Sequence, residues 1–213
     1  MTSTTLIRKP LLRGWSHLAA FPIALLAAAW LVFNAPSDRR WGAFVFGVVI
    51  AAMFGASALN HRIDWTARGA ARALQLDHTA IFLCIAGSWT PVGILALDGW
   101  VADLSVIGVW VVAVVGIVFE WLPIAAPRGW ITTATIIAGW LAVVTLPKLW
   151  TELGLLPASL TVLGGVVYTA GALGLGARWP DPRPETFGYH EIWHLMVIIA
   201  VTIHYTVVAG WVV

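Results

Sequence analysis

Charged side chains are scarce in this chain of 213 residues: Asp, Glu, Lys and Arg together make up only 10% of it. Soluble domains carry roughly 25% charged residues, because their surface faces water. At the same time, 60% of the residues are hydrophobic and 14 are tryptophan. A chain of this composition cannot cover itself with a polar surface. It is therefore predicted to be a membrane protein rather than a soluble one.

The chain also has little cysteine and little net charge, and both exclude certain kinds of protein. The single cysteine, Cys84, lies inside an apolar segment, so the chain has no disulfide framework. The net charge is only +2, and the basic residues lie at helix ends rather than in one patch, so we expect no nucleic-acid partner. No polar link is long enough to form a soluble domain, and residues 1–213 are expected to form a single domain.

What the chain has instead is a series of long apolar segments. Each is near the length of about 20 residues that a helix needs to cross a bilayer core about 30 Å thick. Because backbone polar groups in lipid must be bonded internally, these segments predict an all-α transmembrane bundle. The seven predicted spans are approximately 16–34, 41–60, 77–97, 100–120, 130–147, 154–176 and 189–211.

Basic residues predict how the bundle is oriented. The first apolar run follows a basic N-terminus like a signal peptide, but many spans follow it, so we expect it to be retained as a helix. Three basic residues fall on one side of the spans: Arg39, Arg40 and Lys148. Nine fall on the other side: Arg8, Lys9, Arg13, Arg62, Arg68, Arg72, Arg128, Arg178 and Arg183. The positive-inside rule then predicts a cytoplasmic N-terminus and, with seven spans, an outside C-terminus.

Polar residues gather at the cytoplasmic ends of three predicted spans. They are Ser57 and His61 at the end of the second span, Asp77 and His78 at the start of the third, and His190 and His194 at the start of the seventh. Residues four apart share one face of a helix. Polar groups at membrane depth are costly and usually face the bundle interior, which favours a functional site. The alternative is that they are ordinary helix-end residues at the level of the lipid headgroups.

Three imidazoles with one open position are a familiar catalytic zinc set, in which water is the fourth ligand. In such a site, Asp77 would hydrogen-bond the water or orient a ligating histidine. His78 follows Asp77 directly and points away from it, so we expect it to contact a loop or a neighbouring side chain. His204 lies roughly 21 Å deeper than His190, too far for the same metal ion, and we expect it to bond a neighbouring helix.

Residues 190–194 also read His-Glu-x-x-His, the signature of zinc proteases. Those enzymes need a third ligand, but position 200 is alanine and no Asp or Glu follows Glu191. An "LDG" stretch at Leu97–Gly99 could supply an aspartate, as in intramembrane metalloproteases, but it lies at the outer end of the third span, roughly 30 Å from His190. We therefore reject the protease interpretation and assign no ligand role to Glu191.

These residues carry a resemblance to a known family. Ser-x-x-x-His at 57–61, the stretch "LDHTAIFLCIAGSWTP" at 76–91 and His-x-x-x-His at 190–194 resemble the hemolysin III family. That family is the bacterial branch of the seven-helix progestin and adiponectin receptor family, which is grouped with alkaline ceramidases. The resemblance covers nearly the whole chain from "KPLLRGWSH" onwards. Family members often carry a Glu and an Asn before the histidine of the first helix, whereas "LLRGWSH" keeps only His17, whose role stays open.

The resemblance implies a zinc ion held by His61, His190 and His194, with Asp77 acting through the bound water and Ser57 nearby as an assisting hydroxyl. It implies a multi-pass protein of a bacterial plasma membrane, with a membrane lipid as substrate or ligand. Two functions stay open. The first is a zinc-dependent hydrolase of a lipid amide or ester, which the open fourth position favours. The second is a non-catalytic receptor-like or pore-forming protein in which the zinc is structural.

The predicted orientation determines which positions can be labelled from outside. A cysteine placed at Asp38 or at the C-terminal Val213 is expected to react with a membrane-impermeant maleimide in intact cells. A cysteine at Arg68 is expected to react only after lysis. The parent chain, with Cys84 in an apolar segment, is the unlabelled control. Labelling of intact cells at position 68 but not at position 38 would show that the chain has the opposite orientation.

Overall fold

The computed structural model describes residues 9–123, 127 and 129–213. Within these residues, seven helices are long and apolar enough to cross a membrane. They are α1 Trp15–Asn34, α2 Arg40–Arg62, α3 Ala67–Leu95, α4 Trp100–Trp121, α5 Trp130–Leu153, α6 Leu155–Ala177 and α7 Tyr189–Val212. No β-strand occurs within the described residues. The predicted all-α class with seven spans is therefore confirmed. Two basic residues used for the orientation, Arg8 and Arg128, lie outside the described residues, and the orientation stays a prediction.

Two of the helices are not regular along their whole length. α5 consists of an α-helix Trp130–Trp140, a 3₁₀ turn Leu141–Thr145 and a short α-helix Leu146–Leu153. Pro147 lies in the first turn of this last piece, where a backbone N–H has no partner within the helix and its loss costs little. α7 is an α-helix over Tyr189–Val207 and ends in a π-helical turn.

α3 begins ten residues earlier than the span predicted from hydropathy, at position 67 rather than 77. The added stretch is too rich in arginine to be read as membrane-spanning, but its alanines and arginines are good helix formers. Thr66 caps the helix, since its Oγ1 accepts a hydrogen bond of 3.2 Å from the Gly69 N–H. Asp77 and His78 consequently lie about three turns inside the helix rather than at its start.

Neighbouring helices in the chain pack side by side, and α7 returns to contact α1, which closes the bundle. A hydrogen bond of 3.0 Å from the Tyr205 hydroxyl to the Ala27 carbonyl joins these two helices. Large apolar side chains such as Phe33, Val115 and Leu173 are exposed on the outside of the bundle. An apolar exterior around a closed bundle is the arrangement expected of a protein that lipid surrounds.

Small residues let α1 and α2 approach closely. Gly47 of α2 faces Ala28 of α1, and a Cβ atom at Gly47 would collide with the side chain of Ala28. Membrane helices associate largely through such packing, because lipid tails are as apolar as the side chains that they replace. The contact fixes the position of α2, whose last turn carries His61.

Replacing Gly47 with valine is expected to destabilise the bundle by about 1–3 kcal/mol, the usual cost of forcing extra atoms into a packed interface. The measurement is thermal unfolding of the purified protein in detergent. Gly139→Val is the matched control, because Gly139 also lies within a helix but no atom lies within 4 Å of a Cβ placed there. Equal losses of stability in the two variants would contradict the close packing of α1 on α2.

Candidate metal centre

Three histidines meet where α2 ends and α7 begins. His61 lies in the last turn of α2, and His190 and His194 lie one turn apart at the start of α7. Although His61 and His190 are 129 positions apart in the chain, their Nε2 atoms are separated by 3.2 Å. One nitrogen from each of the three rings lies within 4.8 Å of the other two. The structure thus brings together the three residues that the family resemblance implied as ligands.

The geometry of this cluster fits a transition-metal ion. Two nitrogens bound to tetrahedral zinc at about 2.0–2.1 Å lie roughly 3.3 Å apart, close to the 3.2 Å between the Nε2 atoms of His61 and His190. His194 is 1% exposed, and its Nδ1 has no hydrogen-bond partner among the described residues. Buried polar atoms normally have a partner, and a bound ion or water can supply one. The cluster could therefore hold a metal ion through three protein nitrogens.

Asp77 approaches the cluster from α3 without joining it. Its Oδ2 atom is 3.7 Å from Nε2 of His61, and the side-chain amide of Asn60 donates a hydrogen bond of 2.9 Å to the same oxygen. The carboxylate is not part of the group whose donors all lie within 4.8 Å of one another. Asp77 therefore lies beside the three histidine nitrogens without belonging to their group. Asn60 was missed by sequence reasoning, because its partner lies on another helix.

A cavity of about 240 Å³ extends from the histidines into the bundle. Ser57, which is buried one turn before His61, lines it together with Asp77. Most of the other lining side chains are apolar, and the cavity reaches His204 and Val208 on α7. Since His194 and Val208 are 14 positions apart, the cavity follows α7 for roughly 21 Å.

His17 of α1 packs directly on the cluster, although the sequence left its role open. Its ring stacks on that of His194, with centroids 3.9 Å apart and planes 7° from parallel. Its Nε2–H donates to the His194 carbonyl at 3.3 Å. His17 is 2% exposed, and its Nδ1 is also without a hydrogen-bond partner among the described residues. A histidine on α1 thus supports a proposed ligand on α7.

Glu191 has a structural partner. The side chain is 2% exposed and forms an ion pair of 2.5 Å with Nε of Arg13. Its other oxygen accepts a hydrogen bond of 2.8 Å from the Gly188 N–H, which caps the start of α7. A Glu three residues after the N-cap is a known capping signal that the sequence could have revealed. The pairing with Arg13 spans 178 positions and carried no such signal.

His78 and His204 lie outside the proposed ligand set. Nδ1 of His78 donates to the Glu120 carboxylate of α4 at 2.9 Å. Nε2 of His204 donates to the Thr161 carbonyl of α6 at 3.2 Å, and a Cβ atom at Gly164 would collide with its ring. Both histidines also line the cavity. Each therefore bonds a neighbouring helix.

The fold and the site together define a class: a seven-helix integral membrane protein with a histidine cluster that could hold a metal ion. The family model described as "Haemolysin-III related" matches residues 5–205. The chain belongs to this family, which confirms the resemblance noted from its motifs.

Curated relatives agree with this membership. The chain is 30% identical over 197 residues to "Hemolysin-3 homolog" of Bacillus subtilis (strain 168), covering 90% of this chain and 89% of that protein. It is 34% identical over 126 residues to "Hemolysin-3" of Bacillus cereus. That second match covers 58% of this chain and spans about half the relative's length, 53%. The chain is thus a multi-pass membrane protein related to bacterial hemolysin-3 proteins.

Metal analysis of the purified protein tests the cluster. The parent protein is expected to carry about one zinc ion per chain, since three imidazoles suffice for an open zinc site. Alanine at His61, His190 or His194 is expected to remove most of the metal, whereas His204→Ala, the matched control, is expected to retain it. Undiminished zinc in all three cluster variants would show that the metal is bound elsewhere.

Proposed function

We propose that this chain is a zinc-dependent membrane hydrolase that cleaves an amide or ester bond of a lipid near the cytoplasmic side of the bilayer. One observation carries the proposal. Three histidine nitrogens within 4.8 Å of one another, with Asp77 beside them, lie at one end of a mainly apolar cavity. Three protein ligands with an open position are characteristic of catalytic zinc sites, whereas structural zinc sites are normally closed by four.

The cavity supports a substrate with a long hydrocarbon chain. Asp77 and all of the cavity's lining histidines except His204 lie at one end, and the lining surface as a whole is mainly apolar. A lipid would place its carbonyl group at the histidines and its hydrocarbon chain along the apolar wall. Binding sites of this kind use a few placed polar groups for orientation and apolar contacts for affinity.

The chemistry divides between the ion and the side chains. A zinc ion held by His61, His190 and His194 would supply a Lewis acid that polarises a carbonyl and lowers the pKa of bound water to about 7. The Asp77 carboxylate accepts the proton of the attacking water and later donates it to the leaving group. Asn60 holds Oδ2 of that carboxylate through its 2.9 Å hydrogen bond. The hydroxyl of Ser57, which also lines the cavity, assists by hydrogen bonding.

The names of the two Bacillus relatives suggest a second function, membrane lysis. Both names contain "Hemolysin", which is consistent with membrane lysis by those proteins. A lytic or receptor-like protein would need the zinc only to tie α2 and α7 together. The position of Asp77 beside the histidines, without joining them, favours the hydrolase over this role. The two functions are separated by the assay that follows.

Release of free fatty acid from ceramide and lysolipid panels, measured on the purified protein, tests the proposal. The parent is expected to release fatty acid, and Asp77→Asn is expected to lower kcat by about 10²–10⁴-fold, the usual contribution of a general base. The zinc content of this variant is expected to stay unchanged. Asp98→Asn is the control, since Asp98 is exposed between α3 and α4.

A parent protein that carries zinc but releases no fatty acid from any lipid in the panel would contradict the hydrolase. Dye release from liposomes by that same preparation would then favour the lytic function.

A further inference from the structure

The segment that precedes α1, residues 9–14, crosses the end of the bundle that holds the histidines. The Leu11 N–H donates to the Glu185 carbonyl at 2.9 Å, and the Leu12 N–H donates to the Thr186 carbonyl at 3.1 Å. Both acceptors belong to the loop that leads into α7. Leu11 and Leu12 are therefore attached by their backbone to the segment that leads directly to His190.

A buried ion pair continues this attachment. Arg13 Nε pairs with the Glu191 carboxylate at 2.5 Å, and the two side chains are 17% and 2% exposed. Glu191 lies between His190 and His194 in sequence, on the first turn of α7. Removing one partner of a buried ion pair strongly destabilises a protein, because the other is left as an unpaired charge. The pair thus ties the first turn of α7 to the N-terminal segment.

The same segment also contacts α2. Gly14 adopts φ +77°, a conformation that favours glycine, and a Cβ atom there would collide with Cβ of His61. The guanidinium of Arg62 donates to the Arg13 carbonyl at 3.2 Å and lies 4.4 Å from the ring centroid of Trp15. The chain therefore passes against the backbone side of His61 before α1 begins.

The last contact is the stacked ring of His17 on His194. The N-terminal segment and the first turn of α1 consequently touch both helices that supply the proposed ligands.

We propose that residues 9–17 form an N-terminal clasp, in which Arg13 and His17 are positioning residues that hold His190 and His194 in place and so slow the loss of the bound metal ion. The inference rests on the proposed metal site but not on hydrolysis. Groups that orient metal-ligating histidines typically change metal affinity by about 10–100-fold when they are removed. The clasp supplies such groups from residues that precede α1 and from its first turn.

The readout is the rate of zinc dissociation, which is measured as the transfer of zinc to an excess of chelator. The double variant Arg13→Met/Glu191→Gln removes the ion pair without leaving an unpaired charge, and it is expected to lose zinc about 10–100-fold faster than the parent. Lys148→Met/Glu152→Gln is the matched control: it removes the more exposed pair of 3.5 Å in α5 and is expected to leave the rate unchanged.

His17 gives a second pair of variants in case the ion-pair variant fails to fold. His17→Ala removes the stacked ring and is expected to lose zinc faster, whereas His17→Phe restores a ring against His194 and is expected to recover most of the retention. With cobalt in place of zinc, the visible absorption of His17→Ala is expected to shift, because the orientation of His194 changes, while that of His17→Phe stays closer to the parent.

Equal zinc loss from the parent, His17→Ala and the folded ion-pair variant would overturn the clasp, even if the protein hydrolyses lipid. Faster loss in both, without any fatty-acid release from the parent, would support the clasp and count against the hydrolase. A parent protein without zinc would overturn both proposals.

Discussion

The site depends on one constraint: a polar atom buried in a membrane bundle must have a partner, because neither lipid nor apolar side chains can supply one. Asp77 is bonded by Asn60, and Glu191 by Arg13 and the Gly188 N–H. Among the described residues, the buried side-chain nitrogen and oxygen atoms without a partner are Nδ1 of His17 and Nδ1 of His194. Both belong to the stacked pair beside the proposed metal site.

This constraint also explains how the cluster is built. α2 and α7 each carry a proposed ligand at the end where the cavity begins, and α3 brings a carboxylate to within 3.7 Å of His61. α1 contributes no ligand, yet its first turn packs His17 on His194. The proposed ligands and Asp77 therefore share one end of a cavity whose lining is mainly apolar. That division is what a lipid with a polar head and a long hydrocarbon chain requires.

Much of the fold could be predicted from the sequence, because seven apolar segments of spanning length leave few alternatives. The start of α3 was placed ten residues late, since its first turns are helical but too polar to be recognised by hydropathy. The positive-inside rule and helical spacing also predicted that Ser57, His61, Asp77 and the two histidines of α7 lie in one leaflet. Helical spacing could not reveal the partners of Asn60, Arg13 and His17, because each partner lies on another helix, far along the chain in two of the three cases.

X-ray absorption at the zinc edge of the purified protein tests most directly whether three histidines hold zinc in an open site, because it counts and identifies the atoms around the metal. We expect three imidazole nitrogens and one oxygen to bind the zinc ion at about 2.0–2.1 Å, with no sulfur. The oxygen is expected to remain when Asp77 is replaced by asparagine, since it belongs to water. A first shell of four protein side chains, or loss of the oxygen in that variant, would contradict an open site.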